Sequence, residues 1–262
     1  MINFASILVG ILGSFVISKA ITWLAPKPEL PDFTQEDDAR GSLVNKQSNN
    51  ANIPVVYGKR LVGGTRVFLE SDGGTTNQYL YGALVLCEGE INNITKIKVD
   101  DSYVTFTGSF SHGTAITSND TRFGDTIRIQ PFYGKDNQVA SSLLTTLDSW
   151  SSNHKLSGIC YLAFRFKWDA DKYTGIPQIQ VELEGKKVDV INSNLTITPN
   201  TFSNNPAFCL MDYLTNTRYG KGIDRGDLDI QSFYDASLIA NTQVTPYSGG
   251  IDINLFDCNA VI

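Results

Sequence analysis

The sequence predicts a mainly β protein of the α+β class, with a few helices in a multi-strand body and an apolar helix before it. Beyond Ile53, apolar and polar residues alternate with a period of two in several segments, which is typical of half-buried strands. Only three short segments there space their apolar residues three and four apart, as a helix with one buried face requires. The first 24 residues contain one charged side chain, Lys19, and predict the apolar helix.

Residues 1–25 are the predicted N-terminal helix, and 2–24 are long enough to cross a bilayer, which needs about 20 apolar residues. The segment is a poor signal peptide, since no positive residue precedes it and no small-residue cleavage site follows it. Gly10, Ser14 and Ser18 lie four apart on one face, a pattern that lets helices pack closely. A membrane anchor, a helix buried in an oligomer and an ordinary helix of a monomer all fit these features.

Residues 26–52 predict an extended linker. They contain Pro26, Pro28 and Pro31, an acidic cluster at 36–38 and an Asn-rich end. We interpret the acidic cluster as solvated surface and not as a metal site.

Alternating segments predict the strands of the body. In Gln178–Glu184, three apolar side chains lie on one face of a strand and polar side chains on the other. Two longer apolar segments, 79–87 and 159–168, predict strands that are buried within a sheet. The other signals are shorter alternating segments at 96–99 and 125–130, and glycine-containing turns at 72–74 and 184–186.

Three segments predict helices in the body. The second of them starts at Pro206, with the Asn205 side chain as N-cap, and Gly220 and Gly222 are expected to end it. The third spans 230–240. The apolar stripes and the remaining cap are Val139, Leu143, Leu144, Leu147 and Trp150 in the first helix; Ala207, Leu210, Met211 and Leu214 in the second; and Phe233 and Tyr234, after the N-cap Asp229, in the third.

The composition excludes several classes of function. A net charge of −6 and a pI of about 4.9 argue against a dedicated nucleic-acid-binding protein, which normally has a basic surplus. The chain has two histidines, and its four cysteines form no C-x-x-C pair, so neither a zinc nor an iron–sulfur site is predicted. We interpret the cysteines as buried free thiols of a protein that assembles in a reducing compartment. No nucleophile elbow, phosphate loop or acid–base pair is present, which predicts a binding or assembly module without enzymatic activity or cofactor.

Four segments carry a resemblance to a known family. Residues 205–222, NPAFCLMDYLTNTRYGKG, resemble the N-x-A-x-C-L-x-D-x-L-T-x-x-R-Y-G-x-G segment of lambda-type siphophage tail-tip proteins, the host-specificity family. Residues 53–69, IPVVYGKRLVGGTRVFL, are similar to the P-x-x-Y-G-x-x-R-V-G-G opening of that family, with Leu61 inserted before Val62. YGALVLCEGEINNITKIKVDD and KWDADKYTGIPQIQVELEGKKV resemble two further segments. The four occur in the family's order, and the resemblance as a whole covers about residues 53–262.

The resemblance implies a structural virion protein, the central hub of a phage tail tip. Such hubs are homotrimers that close the distal end of the tail tube and take part in host attachment and DNA ejection. The implied partners are the distal tail protein, other tail-tip proteins and the tape-measure protein, after assembly in the host cytoplasm. Specific nucleic-acid binding is not implied, and a negative wall would let DNA pass without holding it. The family's proteins are longer, so this chain is expected to be an N-terminal piece.

The resemblance also organises the chain. Residues 53–84 and 191–262 are expected to form two halves of a hub domain, and 85–190 a β-rich inserted domain. In a threefold hub, residues 2–24 would form an axial bundle or contact the host membrane. Arg218 is expected to bond the helix-terminal carbonyls or a neighbouring subunit. The predicted structural or assembly residues are Tyr57, Gly58, Gly63, Gly64, Asn205, Pro206, Arg218, Tyr219, Gly220 and Gly222.

Two other classes of protein remain as alternatives. A membrane-anchored, β-rich surface or adhesion protein would place the body outside the cytoplasm, where its cysteines are expected to pair. A cell-wall hydrolase of the tail would need an acid–base pair, and none stands out in the sequence.

Overall fold

A computed structural model describes residues 43, 45–47, 51–72, 78–247 and 249–262. The predicted N-terminal helix, with Gly10, Ser14 and Ser18, lies outside the described residues, as do most of the predicted linker and the glycines of the turn at 72–74. No helix within the described residues is long and apolar enough to span a membrane. The prediction of a mainly β fold with a few helices is confirmed for this part of the chain.

Strands make up most of the described chain. In chain order they are β1 (Lys46–Gln47), β2 (Val56–Tyr57), β3 (Lys59–Val62), β4 (Thr65–Ser71), β5 (Tyr79–Glu88), β6 (Ile91–Val99), β7 (Ser102–Tyr103), β8 (Ile116–Thr117), β9 (Ile127–Tyr133), β10 (Ile159–Lys167), β11 (Ile179–Ile191), β12 (Ile197–Phe202), β13 (Gln243–Val244), β14 (Ile253–Asn254) and β15 (Ala260–Val261). The helices are α1 (Pro206–Thr215) and α2 (Ile230–Ala240), with a 3₁₀ turn at Arg225–Asp227 between them.

The strands form two larger sheets. The first has the order β1-β4-β5-β10-β9-β8 and is antiparallel except for the β1–β4 pair. The second has the order β12-β11-β6-β7, and β3 pairs with β11 as well. There are also two short pairs, β13–β14 and β15–β2, and the second brings the C-terminal residues to Val56 and Tyr57.

The two larger sheets pack face to face, which explains the period of two in their strands. Inward-facing residues from both sheets share one apolar cluster and are at most 1% exposed: Leu84 and Leu86 of β5, Leu162 and Phe164 of β10, Ile94 and Ile97 of β6, and Val181 and Leu183 of β11. The opposite face of the first sheet, including Val85 and Tyr161, packs against Leu144 and Trp150. Strands β5 and β10 are therefore buried on both faces, as their continuous apolar runs predicted.

The helix predicted at 139–150 is wrong. This segment forms consecutive turns, in which Leu147 N donates to Leu144 O and Trp150 N donates to Leu147 O. The Gln130 side chain on β9 bonds both Ser141 Oγ, at 2.6 Å, and Leu143 N, at 3.2 Å. These side-chain bonds compete with helical ones, and the apolar spacing serves a turn-rich segment that covers the sheet.

Both remaining helix predictions are confirmed. The Asn205 side chain accepts from Ala207 N at 3.0 Å at the start of α1, and the Asp229 side chain accepts from Ser232 N at 3.3 Å at the start of α2. Helix α1 ends at Thr215, before either of the glycines that were expected to end it. One member of its predicted buried stripe, Leu210, is half exposed.

The turn predicted at 184–186 is also wrong, because Gly185 lies in the interior of β11. Strand β2 crosses β11 at this point, and Gly185 N donates to Gly58 O at 2.6 Å. A Cβ atom on Gly185 would overlap Val56 O. The glycine is therefore needed for the close approach of two backbones and not for a change of direction.

The predicted domain boundaries fall inside strands. The boundary at 84–85 lies within β5, and the boundary at 190–191 lies within β11. The end of the predicted linker joins the first sheet through β1, and the buried Asn45 side chain accepts from Ile179 N at 2.7 Å. The division into hub halves and an insertion stays a prediction.

We expect Gly185→Ala to lower the free energy of unfolding by about 1–3 kcal/mol, because the new methyl group forces β2 away from β11. Denaturant unfolding of both proteins measures the difference. Gly175→Ala is the matched control, since a Cβ at Gly175 meets nothing within 4 Å, and it should change stability by less than about 0.5 kcal/mol. Equal losses in the two variants would contradict the role assigned to the crossing.

Candidate functional site

Two of the sequence segments singled out above meet at one largely buried carboxylate. The hydroxyl groups of Tyr57 and Tyr219 both donate to Asp212 Oδ2, each at 2.5 Å. Lys186 Nζ lies 3.5 Å from Asp212 Oδ1. We refer to these four side chains as the Asp212 cluster. It joins β2, β11, the last turn of α1 and the loop that follows α1.

Tyr57 reaches the cluster because of the backbone turn that follows it. It is the last residue of β2 and is 2% exposed. Gly58 has a φ of +66°, and a Cβ there would overlap the carbonyl oxygen of Cys258. Only glycine meets both demands, so the turn sets the direction in which the tyrosine enters the protein.

Tyr219 is positioned by the C-terminal cap of α1. The Asn216 side chain accepts from Arg218 N at 2.9 Å and from Tyr219 N at 3.2 Å. The chain then folds back onto the helix, where Lys221 N donates to Tyr213 O at 3.0 Å. A Cβ on Gly220 would overlap Tyr213 O, so glycine is required at the closest point of this return.

Lys186 approaches the carboxylate from β11, one residue after the strand crossing. The Lys186 and Asp212 side chains are 16% and 15% exposed, so solvent screens their ion pair only in part. The Lys186 ammonium also lies 5.9 Å from the centroid of the Tyr219 ring. Its stem passes over Gly89, where a Cβ would contact the lysine side chain at 3.3 Å.

A second ion pair borders the cluster. Arg218 Nε lies 2.7 Å from Glu88 Oε1, and Glu88 ends β5. The arginine was expected to bond helix-terminal carbonyls or a neighbouring subunit; within this chain it pairs with Glu88, and a contact with a neighbouring subunit stays a prediction. Because the Arg218 side chain is 68% exposed, the pair contributes about 0–1 kcal/mol and mainly orients the loop.

The electrostatics of the cluster favour a structural role. Burial and the bonded Asp212 carboxylate both raise the pKa of Tyr57, and the same two causes raise the pKa of Tyr219. Both phenols therefore stay protonated at neutral pH and act as hydrogen-bond donors. A carboxylate that accepts two phenols and faces an ammonium has its charge satisfied, so the cluster holds segments together and offers no free nucleophile or base.

The other predicted residues lie at different places. Gly63 O accepts a hydrogen bond from the Asn45 side chain, and Gly64, with a φ of +71°, turns the chain into β4. Asn205 and Pro206 lie at the start of α1, where Asn205 Nδ2 donates to Ser237 O of α2 at 2.9 Å. Gly222, with a φ of +65°, follows the return of the chain over α1.

Three members of this arrangement, Lys186, Asp212 and Glu88, were not among the predicted site residues, although each lies in a segment that carries the resemblance. Asp212 carried a further signal, because a carboxylate in the last turn of a helix faces the partial negative charge of the helix terminus. Such a residue needs a specific donor to be stable there. Nothing local in the sequence indicated the partners of Lys186 and Glu88, since each has its partner more than 25 residues away.

Neither histidine takes part in the cluster. His112 Nδ1 accepts from Tyr133 N at 3.0 Å, and burial lowers the pKa of His112. His154 is exposed, and its Nδ1 accepts from Ser151 N at 2.9 Å. Over the described part of the chain, no group of three or more His, Cys, Asp or Glu side chains is arranged to hold a metal ion.

We expect Tyr57→Phe and Tyr219→Phe each to lower the free energy of unfolding by about 1.5–3 kcal/mol, because each removes a hydrogen bond to a charged group. Since both phenols share one oxygen, the loss in the double variant should differ from the sum by about 0.5 kcal/mol or more. Urea unfolding of the four proteins measures this coupling. Tyr103→Phe, with a half-exposed ring, is the control and should be near neutral. Strictly additive losses would contradict a shared acceptor.

The raised pKa of Tyr57 predicts a loss of stability at alkaline pH. In the unfolded chain the phenol titrates near its ordinary value of 10.0, whereas in the folded protein it holds its proton to higher pH. Its contribution is therefore complete below pH 10 and is lost as pH rises above it, with a slope of up to about 1.4 kcal/mol per pH unit. Unfolding free energies between pH 9 and about pH 11 should fall less steeply in Tyr57→Phe. Equal slopes in the two proteins would show that Tyr57 titrates normally.

The comparisons with known proteins point to phage tails. No protein-family model matches the sequence. Over 226 residues the chain is 30% identical to the baseplate hub protein pb3 of Escherichia phage T5, which covers 68% of this chain and 23% of the T5 protein. The aligned part of the chain thus spans about a quarter of the length of that relative.

Among solved structures, a chain from the virion of a native gene transfer agent particle is 16% identical, with a TM-score of 0.39. The match covers 54% of this chain and 28% of that one, and a score this low establishes no shared fold. The similarity to the T5 protein supports a relationship to phage tail hub proteins, and with it a location in the tail or baseplate of the virion.

Proposed function

We propose that this chain is part of the central hub of a phage tail tip, where three copies close the distal end of the tail tube. The observation that carries the proposal is the 30% identity to a baseplate hub protein over 68% of this chain. The resemblance of four ordered segments to lambda-type tail-tip proteins supports the same role. Because the aligned part is 23% of the T5 protein, the role concerns this part of a hub.

The architecture supports a structural role and no enzymatic one. Two face-to-face sheets form a continuous apolar core. The charged groups of the Asp212 cluster all make contacts within the chain. A protein that must hold its shape under mechanical load benefits from long strand pairings, such as the one between β11 and β6. None of the chemistry identified in the described residues requires a substrate.

Exposed apolar side chains support contacts with other tail proteins. Leu210 of α1, Ile239 of α2 and Phe256 line a groove of about 480 Å³, and each is at least half exposed. Tyr247 and Ile251, in the segment that joins β13 and β14, are 70% and 80% exposed. Clusters of exposed apolar groups are typical of surfaces that are covered in an assembly. Neighbouring hub copies, the distal tail protein and the tape-measure protein are the proposed partners.

The charge of the chain fits a position beside passing DNA. With a net charge of −6, a ring of three copies would carry a negative wall, which repels DNA and lets it move. In this arrangement residues 2–24 pack along Gly10, Ser14 and Ser18 as an axial bundle, or contact the host membrane during ejection. As the centre of the tail tip, the hub would then take part in host attachment.

Electron cryomicroscopy of tails that contain this chain, averaged with threefold symmetry, tests the proposal. We expect density for the two packed sheets at three positions around the tail axis. Tails whose hub lacks residues 2–24 should keep the three copies in place and show altered DNA ejection. A chain that is absent from the tail, or that is recovered as a monomer from host membranes, would favour the surface-protein alternative.

A further inference from the structure

Two cysteines that are 49 residues apart in the sequence meet in one apolar cluster beside α1. Cys209, in the first turn of α1, is 2% exposed, and Cys258, between β14 and β15, is partly exposed. The Cys209 thiol donates a hydrogen bond to Ser203 O at 3.7 Å, next to the Asn204 carbonyl that binds the Cys258 backbone. The backbone holds them there, since Cys258 N donates to Asn204 O at 2.6 Å, just before the helix begins.

We propose that Cys209 and Cys258 form an oxidisable dithiol, whose disulfide ties the C-terminal segment to helix α1. The reacting partner is a low-molecular-weight disulfide of the glutathione class. Both thiols are free in the structure, so the reduced protein already holds the two groups that the disulfide would join. The chemistry does not depend on the proposed function.

Cys258 is the attacking thiol. It is the more exposed of the two, and the neighbouring Cys209 thiol lowers its pKa from 9.0 to about 7. At neutral pH, Cys258 is therefore thiolate to a larger extent than an ordinary cysteine. The neighbouring Cys258 sulfur, together with burial, raises the pKa of Cys209, so that thiol keeps its proton until Cys258 has reacted.

The reaction proceeds in two balanced steps. The Cys258 thiolate attacks one sulfur of the small disulfide, forms a mixed disulfide and expels one thiolate. The Cys209 sulfur then attacks the Cys258 sulfur, loses its proton and expels the second small thiolate. The protein loses two electrons and two protons, and one small disulfide becomes two small thiols.

The disulfide would fix a segment that pairs with β2, the strand that carries Tyr57 of the Asp212 cluster. Residues beyond Cys258 lie against β2, where Ala260 pairs with Tyr57 and Lys59 N donates to the Asn259 side chain at 2.7 Å. The carbonyl oxygen of Cys258 lies against Gly58, the residue that turns Tyr57 inward. A bond at Cys258 therefore fastens the strand that holds one of the two phenols. Closing a 49-residue loop that includes α2 also restricts the unfolded chain.

The chain contains a matched control for this chemistry. Cys87 and Cys160 face each other as register partners on β5 and β10, and both are 0% exposed. Burial raises the pKa of Cys160 well above its ordinary value. Like Cys209 and Cys258, these two cysteines are neighbours, but no reagent can reach them and neither is expected to form a thiolate. The pair should therefore not react in the folded protein.

The test is oxidation of the folded full chain with oxidised glutathione, followed by alkylation and peptide mapping by mass spectrometry. We expect a Cys209–Cys258 cross-link, a loss of two hydrogens from the intact mass, and alkylatable Cys87 and Cys160 after unfolding. The thermal midpoint should rise by about 5 °C or more. The initial rate should be half-maximal near pH 7, where Cys258 gains its charge.

Single variants separate the roles of the two thiols. In Cys209→Ala, glutathione should remain attached to Cys258, and at pH 7 attachment should be about fivefold slower, because Cys258 loses the neighbour that lowers its pKa and the fall in thiolate exceeds the gain in nucleophilicity. Cys258→Ser should not react, and Cys87→Ala should react like the parent protein. A stable glutathione adduct on Cys258 of the parent protein, a cross-link between Cys87 and Cys160, or four unreacted thiols would each overturn the proposal.

Discussion

One carboxylate, which accepts hydrogen bonds from two phenols, joins segments that are distant in the sequence. Asp212 occupies the last turn of a helix, where the terminal carbonyls disfavour negative charge, and it is largely buried. A buried carboxylate without donors would cost several kcal/mol. Tyr57, Tyr219 and Lys186 together offset that penalty, because each of them contacts the carboxylate. Strand β2, strand β11 and the loop after α1 are therefore held to a single arrangement by the charge that they surround.

The close approach of backbones makes this arrangement possible. Tyr57 can reach Asp212 because β2 lies directly on β11, and the two strands come that close only where Gly185 leaves no side chain between them. Gly58 and Gly220 serve the same end, one beneath the Cys258 carbonyl and the other beneath the Tyr213 carbonyl. A methyl group added at any of these glycines would overlap the neighbouring backbone and move a hydrogen-bond donor away from the Asp212 carboxylate.

Local sequence was sufficient where structure depends on neighbours in the chain. The period of two identified β11, and the cap and proline at Asn205–Pro206 identified α1, because these signals act within one element. Local sequence was insufficient where a partner distant in the sequence determines the local structure. A glycine between charged residues looks the same in a turn as at a strand crossing, so Gly185 was misplaced. Helical spacing at 139–150 was overridden by the side chain of Gln130. The resemblance singled out Tyr57 and Tyr219, but their shared acceptor follows only from the fold.

Helix α1 connects this interior to the surface. Asp212 faces the cluster, whereas Leu210, two residues earlier, is on the opposite side of the helix and lines the groove with Ile239 and Phe256. The cluster anchors the end of α1, and the Asn205 side chain anchors its start to α2. An assembly contact made on this groove would therefore act on a helix that is tied to β2 and β11 through the contacts at Asp212.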